Sequence, residues 1–265
     1  IKFGQFTTNK VKDMSYMFAE CNSLLNLDLS LFNTEKVEDM SYMFQYCSSL
    51  TELNLLNFKT GKVKLMNNMF QYCKKVTNIK QDFDTSNVLN ISHMFEECQS
   101  VSGIDVSKFK TDNVKDMSYL FSLCYLITSL DVSNFDTSKV EDMSCMFNEM
   151  KNIKYLNVTN FKTKNVKDMK FMFSNCSSLE NLNVSNFDTS EVTDMASMFY
   201  NCYTLIELKL SNFNTKKVKD MSSMFSMLQL TSLDLSNFDT SNVIDMYSMF
   251  KECRYLKYLD ISNFD

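Results

Sequence analysis

Phenylalanine recurs through this 265-residue chain at a nearly constant step: Phe6, Phe32, Phe58, Phe83, Phe109, Phe135, Phe161, Phe187, Phe213, Phe238 and Phe264. The step is 26 residues and shortens to 25 twice, at 58–83 and 213–238. A fixed period of this length marks a stacked repeat array, in which each unit contacts only its neighbours. Length alone would suggest one or two globular domains, and the repeat overrides that reading. Residues 1–265 read instead as a single solenoid of about ten 25–26-residue repeats. The chain starts and stops inside a repeat, as a segment of a longer protein would.

Aligned on phenylalanine, the repeats resolve into columns. An unbroken threonine file follows: Thr8, Thr34, Thr60, Thr85, Thr111, Thr137, Thr163, Thr189, Thr215 and Thr240. Valine comes three residues later, then Asp-Met-Ser in most copies, as in Asp13-Met14-Ser15, then Met-Phe, as in Met17-Phe18. Cys or Met follows after three more residues: Cys21, Cys47, Cys73, Cys98, Cys124, Met150, Cys176, Cys202, Met227 and Cys253. Each unit closes on a pattern such as Leu24, Leu27, Leu29, Phe32.

Two periodicities share the unit. Leu27 and Leu29 alternate about Asp28, the period-2 mark of a strand. Met14, Met17, Phe18 and Cys21 fall at i, i+3, i+4 and i+7, which predicts one face of a short helix with Asp13 or Ser15 at its start. Such a helix is marginal alone and needs its neighbours. The predicted fold is therefore an α/β repeat solenoid, right-handed and leucine-rich-repeat-like, with parallel strands on one face and short helices opposite. Turns must come from Asn, Asp, Ser and Thr, because the chain has no Pro and three Gly.

The string N-F-D-T-S-x-V-x-D-M-S-x-M-F-x-x-C-x-S-L-x-x-L-D-L-S recurs nearly whole at 134–159, 186–211 and 237–262. It resembles the repeat of BspA-like surface proteins, the DUF285-type relatives of leucine-rich repeats, over essentially the whole chain. The resemblance implies a right-handed solenoid displayed on a cell surface or secreted, used in adhesion or host contact. It supplies no catalytic residue and no defined ligand.

Composition narrows the function classes further. With 27 basic and 32 acidic residues interspersed and a net charge of −5, the chain lacks the basic footprint of a nucleic-acid binder. No run of 18 apolar residues is present, so no membrane insertion is expected within this segment. There is no Walker loop, dinucleotide fingerprint or nucleophile elbow. The single histidine, His93, has no Ser or Cys partner implied by spacing. The chain is read as a non-enzyme, with no catalytic residue, no metal ligand and no cofactor.

The repeating columns carry structural readings beside functional ones. The thiol file has no C-x-x-C and tolerates Met150 and Met227, as a stacked, reduced, buried file would. Cys145 falls outside that file, in the variable column of Tyr16, Tyr42 and His93, and is expected to be more exposed and reactive. Asp13, Asp39, Asp116, Asp142, Asp168, Asp194, Asp220 and Asp245 form a file expected to bond local backbone N–H groups. A calcium ladder is the functional alternative, and it needs Gly-rich turns this chain lacks. The Thr file reads as a corner motif, bonding local backbone and the next rung, ahead of an ice-binding array. Repeats at 61–104 depart most, with Leu65 and Asn90 in place of Asp, one residue missing around Lys80-Gln81-Asp82, and Lys62, Lys64, Lys74 and Lys75 nearby. A second deletion falls near Met227-Leu228-Gln229.

The outward strand column is the candidate partner-binding face: Asp28, Asn54, Lys80, Asp105, Asp131, Asn157, Asn183, Lys209, Asp234 and Asp260. These residues vary in charge between two inward apolar positions. The expected function is a non-enzymatic, surface-displayed solenoid binding a protein or glycan on another cell or matrix. The alternative is a structural spacer or end-to-end self-associating assembly module, since no polar cap is evident at either end.

Overall fold

A computed structural model describes residues 6–265. The repeats stack rung on rung, and the columns of the sequence become ladders. Six short strands are present: β1 (Glu52–Asn54), β2 (Asn78–Lys80), β3 (Ser129–Asp131), β4 (Tyr155–Asn157), β5 (Ser232–Asp234) and β6 (Tyr258–Asp260). They pair in parallel as β1–β2, β3–β4 and β5–β6, with Leu53 opposite Ile79, Leu130 opposite Leu156 and Leu233 opposite Leu259. The strand side thus carries parallel strands as the alternation predicted, in separate two-stranded pieces.

The expected short helices do not form: no helix occurs among the described residues. The segment after each bridge is a run of turns. Twenty non-glycine residues hold positive φ there, two per repeat and four apart, such as Tyr16 (57°) and Glu20 (61°). The N–H groups of Met14, Tyr16, Phe18 and Glu20 leave their own segment and donate to the carbonyls of Asp39, Ser41, Met43 and Gln45 on the next rung. The amides between them, on Met17, Ala19 and Cys21, donate three residues back. Left-handed φ costs an L-residue roughly 1–2 kcal/mol. Each rung-to-rung amide bond returns about 0.5–1.5 kcal/mol, and a helix would leave the neighbouring rung's carbonyls unpaired. A chain of four-residue turns points Met14, Met17, Phe18 and Cys21 inward much as a helix does, so spacing alone did not separate the two.

The bridge file is a continuous seam. Asp13, Asp39, Leu65, Asn90, Asp116, Asp142, Asp168, Asp194, Asp220 and Asp245 form nine successive parallel bridges. Side chains in this file tie down the next turn as expected: Asp39 Oδ1 accepts the Ser41 N–H at 2.8 Å, and Asn90 Oδ1 accepts that of Ser92 at 2.7 Å.

Threonine supplies a second seam. Thr34 Oγ1 donates to the Lys59 carbonyl at 3.0 Å and accepts the Lys59 N–H at 2.7 Å. One buried hydroxyl stands in for a backbone partner of the next rung. A third seam escaped the sequence reading. The asparagine before the repeat phenylalanine reaches back one rung, as when Asn134 Nδ2 donates to the carbonyls of Val106 and Phe109, each at 3.0 Å.

The core lies between these seams. Phe18, Phe44, Phe70, Phe95, Phe121, Phe147, Phe173, Phe199, Phe225 and Phe250 stack with ring centroids 5.6–6.1 Å apart. The repeat phenylalanines stack beside them at 6.4–6.5 Å, as in Phe109–Phe135 and Phe161–Phe187. On the turn side the spacing is tighter, 4.3 Å for Tyr16–Tyr42 and 4.5 Å for His93–Tyr119. The rungs therefore splay from the turn side toward the strand side.

The thiol file packs into this core. Cys47, Cys73, Cys98, Cys124, Cys176 and Cys202 are free and buried. Each donates to a phenylalanine carbonyl of the preceding rung, as Cys47 Sγ does to Phe18 at 3.1 Å and Cys202 Sγ to Phe173 at 3.1 Å. Two expectations are corrected here. Cys145 is 3% exposed and its thiol is pushed up to about 11 by burial, so it is neither open nor activated. Met227 takes the left-handed position of Asn201 and Glu252, and Leu228 fills the thiol column, because the deleted residue lies after it.

Candidate recognition face

A strand with two inward apolar residues must present the one between them outward. The structure places the whole predicted column there. Asp28, Asn54, Lys80, Asp105, Asp131, Asn183, Lys209, Asp234 and Asp260 are exposed and Asn157 is half-buried. Leu53, Leu130, Leu156, Leu182, Leu208 and Leu233 beside them are buried.

These side chains are not free tethers. Asp131 Oδ1 accepts the N–H of Ser133 at 2.9 Å, and Asp234 Oδ1 that of Ser236 at 3.0 Å. Hydrogen bonds from the serine two residues on hold the carboxyls of Asp28, Asp105, Asp131 and Asp234 below the usual aspartate range. Asn157 Oδ1 accepts from both N–H (3.2 Å) and Oγ1 (2.7 Å) of Thr159, and Asn183 Oδ1 from N–H (3.1 Å) and Oγ1 (2.7 Å) of Ser185. Each turn thus uses one side-chain oxygen and fixes the orientation of the rest of the group. Aspartate is left presenting an acceptor and asparagine a donor. The sequence reading found the column but not this local bond, although its D-x-S and N-x-[ST] spacing is visible in the sequence.

The face has relief where the rungs part. A groove of about 710 Å³ opens between β4 and the two following repeats. Tyr155, Asn157, Asn181, Asn183, Glu207 and Lys209 line it. A smaller hollow of about 150 Å³ sits at the first deletion, beside Gln81, Asp82, Asp105 and Lys108. There Gln81 repairs the missing residue: its Oε1 accepts the Phe83 N–H at 2.9 Å, and its Nε2 donates to the Asp105 carbonyl at 2.6 Å. Two of the nearby lysines are paired with glutamates of neighbouring rungs. Lys64 pairs with Glu38 at 2.8 Å and Lys74 with Glu97 at 3.2 Å.

No constellation for chemistry is assembled among the described residues. His93 stacks on Tyr119, and its Nδ1 lies 2.6 Å from Glu96 Oε2, which also accepts from Gln71 Nε2 at 2.5 Å. This is a polar cluster on the turn side. Among the described residues no group of three or more His, Cys, Asp or Glu side chains is arranged to hold a metal ion, and no helix is long and apolar enough to cross a membrane.

Comparison with known proteins follows from this geometry. The sequence matches the family described as Mycoplasma protein of unknown function, DUF285, over residues 1–103, 75–182 and 172–265. The chain belongs to the DUF285 family. No curated protein matches it in sequence. Among solved structures, this DUF285 chain is similar to a leucine-rich repeat protein from Bacteroides ovatus, with a TM-score of 0.53 and 14% identity, covering 84% of this chain and 58% of that one. An internalin from Listeria monocytogenes matches at a TM-score of 0.31 and 13% identity, over 88% of this chain and 67% of the other. A leucine-rich cell surface protein from Faecalibacterium prausnitzii matches at 0.30 and 14%, over 86% and 78%. The first likeness establishes a leucine-rich-repeat-like solenoid for the DUF285 chain, which spans little more than half the length of that Bacteroides protein.

Proposed function

We propose that residues 1–265 act as one continuous recognition solenoid, displayed on a cell surface or secreted, which binds a protein or glycan on another cell or matrix without catalysis. The observation that carries this reading is the outward strand column. Its chemistry changes from rung to rung while the flanking inward positions stay apolar, and turn bonds hold its aspartates and asparagines at a fixed angle. Groups ordered before binding lose less entropy on contact. Many weak polar contacts repeated along a rod add up through effective concentration. Membership of a family that resembles surface-protein repeats supports the location.

The test is binding of the fragment to a panel of host matrix proteins and glycans, alongside a variant carrying Asp105→Lys and Asp131→Lys. Loss of binding by the variant, with its circular dichroism and melting unchanged, supports recognition through this face. Equal binding by both forms sinks the assignment of the face.

A further inference from the structure

The groove beside β4 differs chemically from the rest of the strand face. Along the outward column the order is Asp105, Asp131, Asn157, Asn183, Lys209, Asp234, Asp260. The aspartates each offer a spare carboxylate oxygen. Between them, Asn157, Asn183 and Lys209 are three consecutive rungs that present donors. The donor identity of the two amides is settled by the turns, since the side-chain oxygen in each is the atom that accepts the N–H of Thr159 or Ser185. Both Nδ2 groups are left for a ligand. Lys154 adds a second ammonium to the lining, and Glu207, paired with Lys209 at 3.1 Å, offsets one of the two.

The groove exists because the rungs part here. β4 pairs with β3 on one side, with Asp131 opposite Asn157, while Asn181–Asn183 on the other side belong to no strand. Tyr155 is 54% exposed at its lip, an aromatic face beside amide groups. A ring of this kind offers an apolar platform with a polar tip.

We infer that this groove binds an oligosaccharide bearing a single carboxylate. The carboxylate sits on the Asn157, Asn183 and Lys209 donors, where ionised acceptors make the stronger hydrogen bonds. The adjoining sugar lies on Tyr155. Neutral sugars extend along the column in both directions, and their hydroxyls donate to Asp131 and Asp234. The same aspartates exclude polyanions, because a second anionic group one or two rungs away would face a carboxylate. A sulfated glycosaminoglycan or a nucleic acid is a poor fit for that reason. This inference rests on the recognition reading above and narrows it to one site and one ligand class.

The experiment is titration of the fragment with sialyllactose, with lactose as its neutral counterpart and a heparin oligosaccharide as the polyanion. Sialyllactose binding at least roughly tenfold tighter than both others, a difference of about 1.4 kcal/mol, is the expected result. Asn183→Asp is the decisive variant, because aspartate keeps the turn bond to Ser185 and replaces the donor by an anion. It should lose sialyllactose binding, as should Tyr155→Ala. Asn33→Asp makes the same exchange outside the strand column, where the Asn33 Oδ1 accepts the Glu35 N–H at 3.0 Å, and should bind as the parent does. Equal affinity for lactose, tighter binding of heparin, or full binding by Asn183→Asp each overturns the inference. If sialyllactose fails while a matrix protein binds and the Asp105→Lys, Asp131→Lys variant loses it, the carboxylated-sugar site is wrong and the recognition face stands. If neither binds, both fall.

Discussion

Thr189 Oγ1 donates to the Asn214 carbonyl at 2.9 Å and accepts the Asn214 N–H at 2.8 Å, so a single hydroxyl satisfies both backbone groups of a residue on the next rung. Thr189 is fully buried, and no water could take its place without opening the corner. Thr189→Val keeps the shape and removes both bonds. The expected cost is about 1–3 kcal/mol, the penalty of leaving buried backbone groups unpaired. Thr189→Ser should retain most of the stability. Urea unfolding of the two variants checks this, and equal midpoints would contradict the seam.

The left-handed positions make an opposite prediction. Ser223 holds φ at 54°, and its N–H donates to the Tyr247 carbonyl at 2.8 Å. Glycine removes the clash of Cβ at this φ but adds freedom to the unfolded chain. Ser223→Gly should raise stability by roughly 0.5 kcal/mol, where glycine in a helix would cost about 0.5–1 kcal/mol relative to Ala. Thermal unfolding therefore separates the turn geometry from a helix by the sign of the change.

Burial holds the core thiols protonated. It raises Cys47, Cys124 and Cys202 from 9.0 to about 12 and Cys145 to about 11. Because the folded values lie above the unfolded one, this contribution is whole below pH 9 and is lost as pH rises toward 12. Stability should fall steeply across that window. Iodoacetamide at pH 8 should leave these four unlabelled in the native protein and label them after urea, as mass spectrometry would read. Rapid native labelling of Cys145 would contradict its burial.

Asp194 is the exception in the bridge file. Burial raises its carboxyl, and the neighbouring Asp168 and Asp220 charges add to the shift. Its folded value lies above the unfolded one, so the carboxylate penalty is absent well below pH 3.8 and fully present at pH 7. Asp194→Asn keeps an oxygen for the Ala196 N–H, now accepted at 2.9 Å, as Asn90 already does for Ser92. The variant should gain a few tenths of a kcal/mol at pH 7, after solvent screening, and nothing at pH 3. A loss at pH 7 would show that the charge itself holds the turn.

Much of this was legible in one dimension because a stacked repeat converts columns into ladders. The Asp13 file was read as turn bonds and is such, while the Thr8 file was read as bonding local backbone and the next rung, and its hydroxyls bond the next rung. The thiol file was read as buried, which holds for Cys47, Cys73, Cys98, Cys124, Cys176 and Cys202, while Cys21 and Cys253 are half-buried and Met227 was shifted one column from Leu228 by the deletion. Helix was misread because Met14, Met17, Phe18 and Cys21 point inward in both a helix and a run of four-residue turns. Cys145 was misread as exposed because its column holds Tyr16 at one rung and a buried thiol at another.

Sequence by itself determined the period, the inward and outward positions and the absence of any recognisable catalytic motif, because each depends on residue type and spacing alone. Tertiary structure decided where amides go and where rungs part. Only the neighbouring rung offers the carbonyls that make left-handed turns worth forming over a helix. Only rung against rung decides that β4 pairs with β3 while Asn181–Asn183 belong to no strand, beside the groove at Tyr155. Both are properties of rung against rung, and no single repeat contains them.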